Sequence, residues 1–498
     1  MKILGLGDNV FDIYDNLHIS YPGGNAVNVA CNASKLGHQA SYLGNIADDK
    51  YGHHMVQTLR SYHVDISHCP IIKNTTTKCC LQNIYDGERQ FLKVELGDNW
   101  CQPIQLQPIY SSYFDKFDVI FTSCNAKIEQ SLFYLKDTKA FVSYDFGEKE
   151  KYRTPEYFSK VLPYIDFAQF SFNNMEEDYL KEFVEKNNIE IPVLVTRGAK
   201  DPLLYVRGKI FKGHNQYVTP VDTMGAGDGF ISALVCYLVE HGLKKNTKIE
   251  EMIFEDALFF AGKYASEVVK IHGGIGYPMK EKKHKAVIFD MDGVIVDTEH
   301  YWLSLFRMIA ADENKVLKKE DEKEFYGCSL EHEPVILKRY LDWDTERIVA
   351  RKKELMTKMP IDYAKNVMPG VIDFIKYLKN SGYQLAIASS SYQKDILRMI
   401  KENHLEDIFD VIVSGEMFEN SKPNPQIYNY TVQKMNVDKN DILVIEDSEY
   451  GILAALNASL DVMMLRNEMY DYVNHNIYMA FDSYEETKEY FKEVLDSE

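Results

Sequence analysis

The chain lacks any apolar run near the roughly 18 residues that span a bilayer, so a helical membrane protein is not expected. Its eight cysteines include no C-x-x-C spacing, which removes both a zinc ribbon and an obvious disulfide framework. A reduced, cytoplasmic setting fits that usage. Positive charge is scarce. Lys and Arg number 56 against 75 Asp and Glu, a net charge of -19, which speaks against nucleic-acid binding by bulk electrostatics. Anionic small molecules stay open, because a divalent cation or a helix N-terminus can supply local positive charge. The opening MKILGLGDNVFD meets an acid at Asp8, too soon for a signal-peptide core. There is no internal repeat and no low-complexity tract. His53, His54 and His272 have no ligand spacing and are expected as surface or satisfied core residues.

What is present is alternation. At 498 residues with 45% apolar content, the chain exceeds one ordinary core, and two or three domains are expected. ILGLG (3–7), VIFTS (119–123), AFVSYDF (140–146), FAQFSF (167–172) and VLVTRG (193–198) read as strands buried in a parallel sheet. NAVNVACNASKLG (25–37) reads as a helix closed by Gly37. LQNIYDGERQFL (81–92) alternates around Asp86-Gly87 and predicts an antiparallel flap, with Cys79 and Cys80 in its strand or in the core. YPMKEKKHK (277–285) has no periodicity and five basic residues, and predicts a solvated linker. Strand patterns restart at AVIFD and recur at LAIASSS (385–391), VIVSGE (411–416), ILVIEDS (442–448) and VMML (462–465). The boundary falls near residue 281, giving α/β domains over 1–280 and 281–498.

VDTMGAGDGF (221–230) is a glycine turn entering an apolar helix, the kind of loop that cradles phosphate, yet it carries no lysine. Asp228 stands there instead. A carboxylate at the helix start can accept the proton of an attacking hydroxyl, while the Gly225, Ala226 and Gly227 amides hold phosphoryl charge. The bland alternative is an ordinary Asp in a first helical turn. FDMDGVIVDTE (289–299) ends a strand with Asp290 and Asp292 two residues apart, which fits an aspartate nucleophile and a nearby acid. Two spaced aspartates can also be a mere cap or turn.

The ordered set PGGNAVNVA (22–30), VLVTRGAKDPLLY, DTMGAGD and IHGGIGYP resembles the ribokinase-like, or PfkB, carbohydrate kinases over residues 1 to about 278. That resemblance implies an α/β sandwich with a small β lid, ATP as co-substrate and a sugar hydroxyl as acceptor. It makes Asp228 the base and Gly225, Ala226 and Gly227 the anion hole. Asp12, Gly23, Gly24, Asn25 and Asn28 would hold the sugar, with Asn9 beside them. Asn173 and Glu176 fit an N-x-x-E pattern for magnesium and phosphates, as do Asn174 and Glu177 equally well. Thr196 and Gly198 would line the nucleotide. Asp222 and Thr223 would assist a monovalent cation or simply serve the loop. The hairpin would be a water-excluding lid and the contact surface of a homodimer. The short interval between GDNVFDIY and YPGGNAVNVA resembles the fructoselysine 6-kinases. This implies phosphorylation of the 6-hydroxyl of fructoselysine, with a separate deglycase downstream; another fructosamine, a ketose or a nucleoside is the alternative.

The second half supplies SSS (389–391), SKPNP (421–425) and VIEDSEYG (444–451) after FDMDG, in that order. The set resembles the haloacid dehalogenase superfamily in its phosphatase and β-phosphoglucomutase-like branch. The resemblance implies a Rossmannoid domain with a helical cap over about 299–367. Asp290 would be the nucleophile and Asp292 the acid/base. Ser389, Ser390 and Lys422 would bind the phosphoryl group. Magnesium would sit on Asp290, the Asp292 carbonyl and Asp447, with Glu446 in support. Mutases of the branch carry a histidine twelve residues after the nucleophile; here that position is Trp302, with His300 two before it. A sugar-phosphate phosphatase is therefore the expectation, with a mutase, or one half acting as a non-catalytic sensor, as alternatives.

Overall fold

The continuously apolar runs of the first half become neighbours in one sheet. Lys2–Leu6, Val119–Ser123, Phe141–Asp145, Phe167–Ser171 and Val193–Arg197 pair in parallel, with Gln39–Leu43 outside Lys2–Leu6. Strands buried on both faces need no polar alternation, which is why these runs read so plainly. Lys200–Val206 and Lys209–Lys212 complete the eight-stranded sheet antiparallel at the other edge. In this computed structural model the described residues are 1–85, 88–245, 247–280, 284–325, 332–466 and 477–492. The chain divides into two units, Met1–Glu281 and Lys282–Glu498.

The first unit is an α/β sandwich with a second, five-stranded sheet. The hairpin strands Cys79–Tyr85 and Glu88–Glu95 pair antiparallel, while the Asp86-Gly87 turn lies outside the described residues. The sheet is wider than the hairpin alone. It also holds Val10–Tyr14, Ile19–Gly23 and Met279–Lys280. The helix Asn25–Lys35 follows directly on Ile19–Gly23 and packs against the helix Ala226–Glu240.

The expected solvated linker is structured on both sides of the residues outside the description. Tyr277 is fully buried, and Met279–Lys280 is a strand paired with Ile19 and Ser20. His284 is buried and bonded through Nε2 to Asp461 at 2.8 Å. The basic residues hide a short edge strand, because charge density masks a two-residue apolar contribution.

The second unit has six parallel strands. Their order is Val411–Ser414, Gln384–Ser389, Ala286–Phe289, Ile442–Glu446, Asp461–Leu465 and Met479–Phe481. The helices Glu299–Ala311, Lys319–Phe325, Glu333–Leu337 and Thr345–Lys358 form the cap, with a core of its own around Phe306, Ile309 and Ile348.

Candidate active sites

In the first unit, Gly225 stands in left-handed backbone (φ 71°) immediately before the helix Ala226–Glu240. A Cβ there would come within 2.9 Å of Gly274 Cα, so two backbones meet where neither tolerates a side chain. The packed turn presents the first amides of the helix, which have no partner within the helix itself. Asp228 lies in that first turn. Asn25 Nδ2 donates to its Oδ1 and Asn28 Nδ2 to its Oδ2, both at 2.8 Å. Burial raises the Asp228 carboxyl to about 6, against the lowering by these two amides.

Asn25 is itself held. Its Nδ2 also reaches Asp145 Oδ2 at 3.1 Å, and its Oδ1 accepts from Asn125 Nδ2 at 2.7 Å. Asp12 is buried on Val10–Tyr14 and has no hydrogen-bond partner among the described residues. Its carboxyl rises to about 7, chiefly through burial, with Arg89 pulling the other way. Gly23 ends the neighbouring strand, where a Cβ would fall 2.8 Å from Asp12 Oδ2; Gly24 caps the helix that carries Asn25 and Asn28.

Asn9 is present but occupied. Its amide donates to Tyr42 Oη and the Asn45 carbonyl and accepts from Asn99, so it frames the cleft. Asp222 is likewise committed to the loop. It accepts from the Tyr14 hydroxyl and the Met224 and Gly273 amides at 2.5, 2.9 and 2.8 Å. At the ends of adjacent strands, Asn173 and Gly198 approach closely: a Cβ on Gly198 would stand 3.3 Å from Asn173 Oδ1. Thr196 Oγ1 meets Ser171 Oγ at 3.2 Å. Glu176 is mostly exposed and pairs with Lys200 at 3.6 Å and Arg197 at 3.8 Å.

Three residues of this site escape sequence reasoning. Arg89, from the edge strand Glu88–Glu95, reaches Met224 Sδ through Nη1 at 3.2 Å and acts electrostatically on both Asp12 and Asp228. Asp145 and Asp8 add half-buried carboxyls whose protonation is favoured by desolvation, Asp145 at about 7. Asp145 sits within a predicted strand, and its carboxylate at the strand's end was the available signal.

In the second unit, Asp290 follows directly on the strand Ala286–Phe289, and Glu446 ends the adjacent strand with Asp447 next in line. Ligand atoms of Asp290, Glu446 and Asp447 lie within 4.8 Å of one another, all three residues buried. Lys422 Nζ bridges Asp290 Oδ1 and Glu446 Oε1 at 2.6 Å each. Burial raises Asp290 to about 7 although Lys422 opposes it. Asp292 accepts from Thr298 Oγ1 and Ser391 Oγ, both at 2.6 Å. The serine run divides its contacts. Ser389 is fully buried and its hydroxyl accepts from the Ser391 amide, Ser390 is exposed, and Ser391 is the serine that reaches Asp292. A strand-end side chain that points inward serves the turn, which alternation along the run foretells. Trp302 packs on the cap core, with Lys352 Nζ 4.6 Å from its ring centre.

Two sandwich-borne sites, one with a carboxylate at a helix start and one with clustered carboxylates around a buried lysine, define a sugar kinase joined to a phosphatase. A model of the pfkB family carbohydrate kinases matches residues 19–282, and one of the haloacid dehalogenase-like hydrolases matches 287–465. The chain is 27% identical over 280 residues to a fructosamine kinase of Bacillus subtilis, covering 56% of this chain and 94% of that one. It is 28% identical over 240 residues to the fructoselysine 6-kinase of Escherichia coli, covering 47% and 89%. It is 31% identical over 183 residues to a phosphorylated carbohydrates phosphatase of Thermotoga maritima, covering 36% and 82%. The chain belongs to the pfkB family of carbohydrate kinases, and its second unit to the haloacid dehalogenase-like hydrolases.

Proposed function

We propose that the first unit phosphorylates the 6-hydroxyl of a fructosamine, fructoselysine foremost, and that the second hydrolyses a sugar phosphate through an aspartyl phosphate on Asp290. The kinase reading is carried by the two asparagine amides that aim Asp228 at the helix start. The names of the two kinase relatives support its substrate class. Asp228 takes the proton as the sugar oxygen attacks the γ-phosphorus of ATP. The Gly225, Ala226 and Gly227 amides hold the charge on the transferred group. Asp12, with its carboxylate unpaired, accepts two sugar hydroxyls; Gly23, Gly24, Asn25 and Asn28 shape that end. Asn173, Glu176, Thr196 and Gly198 face the nucleotide.

In the second unit, the all-oxygen set of Asp290, Glu446 and Asp447 suits magnesium, a hard cation. Such an ion supplies charge neutralisation that lets an anionic phosphate approach an anionic nucleophile. An Asp290 oxygen attacks phosphorus, the bond to the sugar oxygen breaks, and Asp292 gives that oxygen its proton. Water then attacks the aspartyl phosphate, Asp292 takes the water's proton, and phosphate leaves. Lys422 holds phosphoryl charge beside Asp290, and Ser390 and Ser391 line the approach. Trp302, where mutases of the branch have histidine, favours hydrolysis over phosphoryl return. A homodimer through the lid, a partner deglycase and a cytoplasmic setting complete the reading.

The test is a panel on the full chain. ADP formation is expected to be fastest with a fructosamine, and a clear preference for ribose, fructose or a nucleoside overturns the kinase substrate. Asp290→Asn is expected to abolish phosphate release from every sugar phosphate; surviving release removes Asp290 as nucleophile.

A further inference from the structure

The interior around Asp228 is acidic, with Asp8, Asp12 and Asp145 all close enough to interact with one another or with it. An anionic portion of a substrate is repelled there. Besides Arg89, one further place has the opposite sign. Lys78 Nζ lies 3.5 Å and Lys127 Nζ 3.9 Å from the centre of the Trp100 ring. Lys127 also donates to the Trp100 carbonyl at 3.0 Å. Both lysines are part-buried, and neither has a carboxylate partner among the described residues. In a chain with 19 more acidic than basic side chains, two adjacent half-buried ammonium groups outside any close ion pair among the described residues stand out, although the Lys78 charge acts at longer range on Asp8 and Asp12.

Their placement is enforced. Lys127 adopts φ 54°, in the left-handed region that a non-glycine residue occupies only at some cost. It follows the turn Cys124–Ala126 and so leaves the backbone in one fixed direction. The Lys78 amide donates to Asn99 Oδ1 at 2.8 Å. Burial and the charge of Lys78 both push the Lys127 ammonium down, so the pair repel each other at rest. Trp100 lines a cleft with Asp8, Asn9, Asn99 and Asn125, and Asn125 donates to the Asn25 that holds Asp228.

We propose that Lys78 and Lys127, gathered on Trp100, form a carboxylate subsite that takes the α-carboxylate of the amino-acid portion of a fructosamine. The inference rests on the kinase reading above. A fructosamine made from an amino acid is long and has its only anion at the end remote from the 6-hydroxyl. With that hydroxyl at Asp228, the carboxylate is directed to the lysine pair on Trp100, a residue that lines the cleft. Plain hexoses have no group for it, so the subsite sets substrate class.

The experiment compares fructoselysine with the adduct of the corresponding diamine, identical but for the carboxylate, on the full chain. The parent is expected to favour fructoselysine in kcat/KM by about tenfold to a hundredfold, as for a charged hydrogen-bonded pair. Lys127→Met brings that ratio to about one, while Lys127→Arg keeps it. Lys78→Met reports on the same ratio should Lys127→Met fold poorly. Equal losses on both adducts would mean the lysines merely balance Asp8 and Asp12, and would overturn the subsite, as would a parent without preference. A parent that turns over neither adduct removes the fructosamine reading itself, a distinct outcome.

Discussion

The proposed base, Asp228, can act only when ionised, and its carboxyl sits at about 6 because burial outweighs the Asn25 and Asn28 amides. Below that pH the protonated form is too weak a base to take the proton of the sugar hydroxyl. The acid limb of kinase kcat/KM is therefore expected between about 6 and the value of about 7 at Asp12, which must also be ionised to accept hydroxyls. Arg89 lowers both carboxyls. Arg89→Met is expected to move the acid limb to higher pH, which a pH–rate profile reads directly; an unmoved limb would separate Arg89 from the site. Asp228→Asn, isosteric within the two amides, is expected to cost about 10²–10⁴ in kcat with fructosamine and ATP still bound. Sequence alone made Asp228 and Asp290 visible, because carboxylates at strand ends and helix starts stand out against apolar runs. Arg89 was not visible, since nothing local to a strand distinguishes a residue that reaches across to another element, and Asp145 was passed over although its strand-end carboxylate was the same kind of signal.

At the level of elements, the parallel strands were readable because burial on both faces leaves unbroken apolar runs. Val10–Tyr14 and Ile19–Gly23 were not, since VFDIY and ISYPG bury an acid and a proline where a strand pattern calls for alternation. Function overrode local preference there. The turn after Ala286–Phe289 is as tightly specified. Gly293 has φ 78°, and a Cβ on it would fall 1.9 Å from Asp447 Oδ2. Gly293→Ala is expected to displace Asp447 and cut phosphate release by about 10–100-fold. A thermal melt should show the second unit weakened by about 1–3 kcal/mol from the strained backbone. Retained phosphate release would mean that Asp447 has room the packing does not show. Kinase activity should stay at the parent level.

For the whole molecule, the division at Glu281 places the proposed catalytic residues of each activity within one unit. The strand Met279–Lys280 belongs to the sheet that carries Asp12 and Gly23, and Gly274 packs on Gly225. A chain ending at residue 272 is expected to lose sugar phosphorylation, and one ending at 281 to keep it, as an ADP-release assay would report; activity in the shorter chain would make that closure dispensable. Synthesis runs from the first residue to the last, so the contact between Gly274 and Gly225 cannot exist until the kinase portion is almost wholly translated. The nascent kinase thus holds a glycine turn still awaiting its last packing partner, and the hydrolase unit begins only a few residues after that partner arrives.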